Sequence, residues 1–292
     1  MSVNLSEPKR AIVKYHNDLY DKLKFVKKEK IDANTYKEKP LSSREIRIFM
    51  AIVYKVGKEQ RRTVFFTPEE IKYLTGNKYA SDKEFIKVCK QATEALGELN
   101  ITIDREKEGG RMNLFQTIYY NEYGMACSVN ENFKHLFVDV FEDNPKGYSK
   151  ILLSMVNKTN RYGQLLAMLL VKYRGTNECH ITLEDFKRWM VIPNSYPFKK
   201  IREKVLDPAV KELSKYFKGL HYVKHTKQKK VTGLSFFFTE ITPSIDKTYE
   251  KLEIVNNETG EISNWYGEGN IPHGFRLLGD QTEGSETVEI PF

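Results

Sequence analysis

The chain has 292 residues, enough for two ordinary domains with cores of their own, and its 40% hydrophobic and 29% charged composition is that of a soluble globular protein rather than a disordered or membrane one. No apolar run approaches the roughly 18 residues of a membrane span and MSVNLSEPKR lacks the apolar core of a signal peptide, so a cytoplasmic protein with no membrane partner is expected. The formal net charge of +8 is uneven: residues 241–292 carry three basic side chains (Lys247, Lys251, Arg276) against ten acidic ones, which leaves about +15 on residues 1–240, as suits a polyanionic partner or, equally, a solvated basic surface.

Residues 1–40 form a basic N-terminal segment. One helix is expected through AIVKYHNDLYDKLKFV, followed by a solvated connector around Lys27–Lys30 and Lys37–Pro40. From Leu41 the pattern becomes that of a core helix, with Ile46, Phe49, Met50 and Val53 at helical spacing behind a cap at Ser42 or Ser43. Thr67 is the next N-cap, with Pro68 in the first helical position and Glu70 completing a capping box. A third helix starts at Ser81 or Asp82. It buries Phe85, Cys89, Ala92, Leu96 and Leu99 and turns Lys83, Lys87 and Lys90 outward. The period then falls to two. ITIDRE, the turn KEGG, RMNLFQTIYYNEY and GMACSVN read as a hairpin plus a further strand. Three helices followed by a hairpin is the order of a winged helix, a helix-turn-helix with a β-wing, placed here over residues 41–145.

Residues 146–242 repeat that order. VNKTNRYGQLLAMLLVKYRG is an apolar helix, and Cys179-His180 leads into a helix capped by Thr182, whose TLEDFK echoes TPEEIK 115 positions earlier. Pro193-Asn194-Ser195 breaks the chain before a long third helix, and LHYVKH with VTGLSFFFTE forms a second hairpin whose tip is Thr226–Lys230. The repeat argues for an α+β chain of two tandem winged helices. Residues 243–292 lack a sustained period and are acidic, so a largely mobile tail is expected.

In a helix-turn-helix the third helix enters the major groove and reads bases from its first turns. After Pro197 the buried face is Phe198, Ile201, Val205, Ala209 and Leu213, which leaves Tyr196, Lys199, Lys200, Glu203 and Lys204 toward solvent or DNA. Arg202 is placed by the roughly 100° helical step inside the apolar sector. It is either a core-edge Arg paired with a carboxylate or a reader of guanine. Lys224, Lys227, Lys229 and Lys230 suit phosphate contact, although lysines at a turn also keep a sheet edge soluble. The first copy offers Lys83, Lys87 and Lys90 with Arg105, Lys107 and Arg111, a sparser set that fits DNA backbone contact or a protein interface.

Catalytic readings have less support. Cys89, Cys127 and Cys179 form no CxxC pair, and no metal or other cofactor is implied. A nicking enzyme needs histidines at H-x-H spacing beside a tyrosine nucleophile, whereas His221 and His225 lie four apart on a strand, too far for one ion. Glu69-Glu70 and Glu184-Asp185 are acids in a first helical turn, where the helix dipole explains them. Asp139, Glu142 and Asp143 read as a solvated loop, and no P-loop is present.

RYGQLLAMLLVKYRG, ITLEDFKRWMVI and SYPFKKIREKVLDPAVKEL with the basic hairpin after them resemble the second winged helix of the iteron-binding plasmid replication initiators, the theta-type Rep proteins. LSSREIRIFMAIVYKV through LFQTIYYNEYGMACSVN resembles their first. The resemblance covers about residues 10–240. It implies a non-enzymatic double-stranded DNA binder that occupies direct repeats at an origin, helps to open it and recruits host replication proteins. It also implies a monomer on the repeats and a dimer, joined through the first domain, that represses its own gene on an inverted repeat. A transcriptional regulator with the same two winged helices is the alternative. Outside the resemblance, Glu289-Ile290-Pro291-Phe292 is similar to the acidic tip by which bacterial single-stranded-DNA-binding proteins dock partners, while an incidental acidic tail accounts for it more simply.

Overall fold

The computed structural model describes residues 11–19, 23–32, 35–76, 81–105, 108–138, 147–241, 252–256, 262–265 and 275–277. Residues 1–245 form one compact unit and residues 246–292 another.

The first unit begins with a strand where the amphipathic reading expects a helix. β1 (Ile12–His16) pairs antiparallel with β9 (Tyr148–Leu152), Ile12 opposite Leu152 and His16 opposite Tyr148. Val13 and Tyr15 are buried on its inner face. Its β-branched and aromatic residues suit a pleated, half-buried surface, and a partner far along the chain decides the outcome. The expected connector is likewise ordered, because β2 (Val26–Lys30) and β3 (Tyr36–Pro40) form an antiparallel hairpin tied by a 2.7 Å bond from Lys39 Nζ to Glu29.

α1 (Ser43–Glu59) carries a complete capping box, in which Ser42 accepts from the Glu45 amide and the Glu45 carboxylate accepts from the Ser42 amide. β4 (Thr63–Phe66), α2 (Pro68–Thr75) and α3 (Asp82–Gly97) follow. The box expected at Thr67 is half formed. Thr67 accepts from the Glu70 amide, but the Glu70 carboxylate takes Lys55 Nζ instead, since that ammonium also caps the Phe65 carbonyl and lies over the Phe66 ring. Ser81 caps α3 through the Glu84 amide, and Phe85, Val88, Cys89, Ala92 and Leu96 are buried as the spacing requires.

The strands after α3 differ from expectation. β5 (Asn100–Arg105) and β6 (Glu108–Asn113) make a two-stranded ladder of their own. RMNLFQTIYYNEY is interrupted at buried Leu114, and β7 (Phe115–Asn121) turns back as β8 (Gly124–Val129). The three-stranded sheet has the order β4-β8-β7, so the wing is β7–β8, and the Gly109-Gly110 hairpin is an addition before it. Gly124 is required at the wing turn: its φ of 152° is poor for a side chain, and a Cβ would lie 2.0 Å from the Phe66 carbonyl oxygen. A 3₁₀ turn (Glu131–Leu136) completes the half.

The second half repeats this plan. The apolar stretch is two helices, α4 (Leu153–Asn157) and α5 (Arg161–Val171), because Asn160 between them caps α5 by accepting from the Tyr162 and Gly163 amides. β10 (Glu178–Thr182) and α6 (Leu183–Trp189) lead to α7 (Phe198–Ile201), a π turn (Arg202–Leu206) and α8 (Asp207–Leu213). The short pair β11 (Phe217–Lys218) and β14 (Glu240–Ile241) brackets the wing strands β12 (His221–Lys227) and β13 (Lys230–Phe237). Their sheet has the order β10-β13-β12, the counterpart of β4-β8-β7. Thr67 and Thr182 therefore hold the same place in both halves, the junction of the first sheet strand with the helix after it.

The buried side chains of both halves form one continuous cluster. Gln164 of α5 donates to the hydroxyl and carbonyl of Ser43 on α1, and Phe25 meets Trp189 edge to face at 5.7 Å. In the second unit, β15 (Leu252–Asn256) pairs with β16 (Ile262–Trp265) and β17 (Phe275–Leu277) in an antiparallel sheet, so regular structure extends into the stretch expected to be mobile. These strands, of five, four and three residues, are too short to show a sustained period. Among the described residues no helix is long and apolar enough to cross a membrane.

Candidate nucleic-acid interface

Two elements of the second half face each other across a concavity of about 520 Å³ lined by Phe198, Lys199, Arg202, Tyr222 and Lys224. The helical wall is fixed from behind. Ile201, Val205, Leu206, Ala209 and Leu213 are fully buried, and Lys187 of α6 donates to the carbonyls of Asn194 and Tyr196 at 3.2 Å each, which holds the break before α7. Lys199, Lys200, Arg202, Glu203 and Lys204 are exposed, and Tyr196 is half-buried. The Lys200 ammonium lies over the Tyr196 ring.

The helix is not regular at this point. Pro208 has no amide hydrogen and cannot close an i to i−4 bond onto Lys204, and the chain takes a π turn in which the Asp207 amide donates to the Arg202 carbonyl. Arg202 is thereby exposed rather than in the apolar sector, with Nε 3.9 Å from Asp207 Oδ2. Asp207 Oδ1 accepts a 2.8 Å bond from the Tyr222 hydroxyl on β12. Burial, then this bond and the adjacent carboxylate charge, push the Tyr222 phenol up to about 12, so it stays a donor at neutral pH.

The opposite wall is the wing. Tyr222 and Lys224 alternate along β12 toward the groove, with Phe236 and Leu234 of β13 buried opposite them. Lys227 pairs with Lys230, so the tip is the two-residue turn Gln228-Lys229, and all four lysines, Lys224, Lys227, Lys229 and Lys230, are exposed. Both turn residues have positive φ, 50° and 64°, without the Gly or Asn such hairpin turns favour. The sequence places this tip by its flanking strands, not by a turn residue.

The other face of the wing sheet carries the histidines. His225 Nε2 and His180 Nδ1 meet the Ser235 hydroxyl at 2.6 and 2.5 Å, and His180 Nε2 meets Glu178 at 2.7 Å. Glu, His and Ser in hydrogen-bonded order have the composition of a hydrolytic triad. Ser235 is 0% exposed, however, and its hydroxyl is shared by two imidazoles, so the chain fits a tie across β10, β13 and β12 rather than a nucleophile meeting a substrate. His221 stacks on Phe237 and points to the Gly219 carbonyl, away from His225. Among the described residues no three metal-ligating side chains cluster. Cys89, Cys127 and Cys179 are free and buried.

In the first half Lys83, Lys87 and Lys90 lie exposed on α3 and Arg111 lies exposed on β6. Arg105 ends β5 opposite Glu108, so this set belongs to the added hairpin and not to the wing. The wing β7–β8 instead presents Tyr119 and Tyr123, 59% and 72% exposed, beside Phe65, 50% exposed. Lys107 and Glu289, Ile290, Pro291 and Phe292 lie outside the described residues. The groove thus unites Lys199, Arg202 and Lys224 and adds Phe198 and Tyr222, with Asp207 bonded to Tyr222, and the sequence reading assigns none of these last three to DNA. Tyr222 alternates with Lys224 on one strand, the signal that could have found it.

Comparison with known proteins bears on this geometry directly. The family model described as Initiator Replication protein, WH1 matches residues 12–162, and that described as Initiator Rep protein, WH2 matches residues 182–238. The chain belongs to the Rep initiator family. Its two winged helices are the family's WH1 and WH2, and the first match starts at β1, consistent with that strand being part of the fold. Among solved structures, the Pi initiator protein, crystallised in complex with iteron DNA, is similar at 14% identity and TM-score 0.55 over 79% of this chain and 97% of that one. Domains 2-3 of RctB are 9% identical with TM-score 0.41, over 74% of this chain and 92% of theirs. No curated protein sequence gave a significant match.

Proposed function

We propose that this Rep initiator binds double-stranded direct repeats at a plasmid origin, helps to open the origin and recruits host replication proteins without catalysing a covalent step. The observation that carries the reading is the basic groove between α7 and the wing, where Lys199, Arg202 and Lys224 face one space. In this arrangement α7 enters the major groove, with Tyr196, Lys199, Lys200, Arg202, Glu203 and Lys204 near base edges, while Lys224, Lys227, Lys229 and Lys230 contact phosphate. The likeness of the fold to Pi, which was crystallised on iteron DNA, supports the choice of repeats as the site.

The first winged helix, over 41–145, has a divided role in this proposal. Lys83, Lys87, Lys90, Arg105, Lys107 and Arg111 supply backbone contact. The exposed Phe65, Tyr119 and Tyr123 on the β4-β8-β7 sheet, where the second wing carries lysines, support a dimer interface through which the protein represses its own gene. Glu289–Phe292 is the contact for a replication partner.

Footprinting on DNA flanking the gene tests the reading. Protection of direct repeats, one protein per repeat, is expected, together with supercoiled origin DNA left unnicked in magnesium or manganese. A single protected promoter palindrome would instead make the protein a regulator.

A further inference from the structure

Five residues along a regular α-helix amount to a rotation of about 140° beyond one full turn, so Arg202 and Asp207 would point to different sides. The π turn removes that separation. Its closing bond runs from the Asp207 amide to the Arg202 carbonyl, and it brings the carboxylate alongside the guanidinium. The same carboxylate is held from the wing by the Tyr222 hydroxyl. Asp207 therefore links Arg202 of the π turn to Tyr222 of β12, two residues that line the groove.

The manner of the meeting indicates a purpose. Arg202 and Asp207 side chains are 52% and 55% exposed, and an ion pair that open to solvent adds little to stability. An acidic group so near a groove-lining arginine also repels phosphate and so lowers affinity for every duplex. The contact is made on the Nε side, and among the described residues no hydrogen bond engages the guanidinium, so both terminal nitrogens remain available as a fork. That fork matches the O6 and N7 acceptors of guanine.

We infer that Asp207 and Tyr222 are positioning residues for specificity: through the π turn they aim the Arg202 fork at one guanine and couple the wing to base reading. This rests on the proposed repeat binding, with α7 in the major groove. Asp207 draws the guanidinium to its side by charge, and Tyr222 holds Asp207 by a 2.8 Å hydrogen bond. Pro208 keeps the turn in place.

Selection of bound duplexes from a randomised double-stranded library by the full-length protein tests this, whatever the sequence of the repeat. The wild-type protein should select a motif with a strongly preferred G·C pair that Arg202→Ala loses. Asp207→Asn and Tyr222→Phe should each relax that same pair, on the order of tenfold, and leave the other positions sharp. Asp207→Asn should bind random duplex at least as tightly as the wild type. Added to Arg202→Ala, it should relax nothing further.

Melting midpoints matching wild type would show that folding is retained, and Tyr222→Phe keeps the ring in place should Asp207→Asn be unstable. Full retention of the G·C preference in both variants overturns the inference, as does equal relaxation at every position, which would mark a purely structural tie. A motif untouched by Arg202→Ala overturns it while leaving repeat binding intact. A wild-type protein that selects no motif removes the DNA reading and this inference together.

Discussion

The ammonium of Lys200 lies 3.8 Å from the centroid of the Tyr196 ring, just before α7. Such a contact is worth about 0.5–1 kcal/mol at an exposed site, enough to restrict a flexible side chain before DNA arrives. Tyr196→Leu should therefore weaken repeat binding by roughly 2- to 5-fold through lost pre-organisation. Lys200→Ala, which removes the charge itself, should abolish specific binding without unfolding the protein. Gel-shift titration on the footprinted repeat checks both, and wild-type affinity in Lys200→Ala would remove this residue from the interface.

The wing lysines should behave differently from the helix. Replacing Lys227, Lys229 and Lys230 by alanine should lower affinity on all sequences alike. Each phosphate contact releases about one counterion, so the slope of log affinity against log salt should become shallower by roughly 2–3. A salt titration measures it. An unchanged slope would return the hairpin to a structural role.

The turn at the wing tip sets stability against binding. Gln228 and Lys229 hold positive φ, a conformation that costs a side-chain-bearing residue about 1 kcal/mol or more. Lys229→Gly should stabilise the chain by about 1 kcal/mol in urea unfolding while weakening DNA binding through the lost charge. Gln228→Asn should stabilise by less and leave affinity unchanged.

Alkaline pH should destabilise the fold. Burial raises the thiols of Cys89 and Cys179 to about 12 and moves that of Cys127 in the same direction. A thiol raised in the folded state stabilises fully below its unfolded value near 8.5, and that contribution is lost as pH rises toward the folded value. Stability should fall by roughly 1–2 kcal/mol per thiol by pH 10. Melting curves at pH 7 and pH 10 test the direction. Ellman's reagent should label none of the three in the native protein at pH 7 and all of them in denaturant.

Deleting Ile290–Phe292 should leave repeat binding unchanged and reduce plasmid copy number. An unchanged copy number would leave that tip without a role in replication.

Local signals make the helical framework legible, and distant ones conceal the rest. Ser42, Thr67, Ser81 and Thr182 are all N-caps, because a cap depends only on its own next three residues. β1 is hidden because its partner is β9, and nothing near Ile12 announces it. The first wing is misplaced by its sequence because Gly109-Gly110 is a stronger turn signal than Asn121–Gly124, although only the latter joins strands of the three-stranded sheet. In the groove, the basic residues are visible by type. The alignment of Arg202 with Asp207 is not, because it follows from a hydrogen bond that Pro208 cannot make.

The pairing of β1 with β9 also imposes an order on biosynthesis. Ile12 leaves the ribosome early, but Leu152, its partner, comes only after the whole first winged helix has been made. During that interval Val13 and Tyr15 have no strand against which to be buried, and closing so long a loop is slow. The nascent first domain is therefore an open-edged intermediate that translation itself completes, and a pause before Leu152 would prolong its exposure to chaperones and to aggregation.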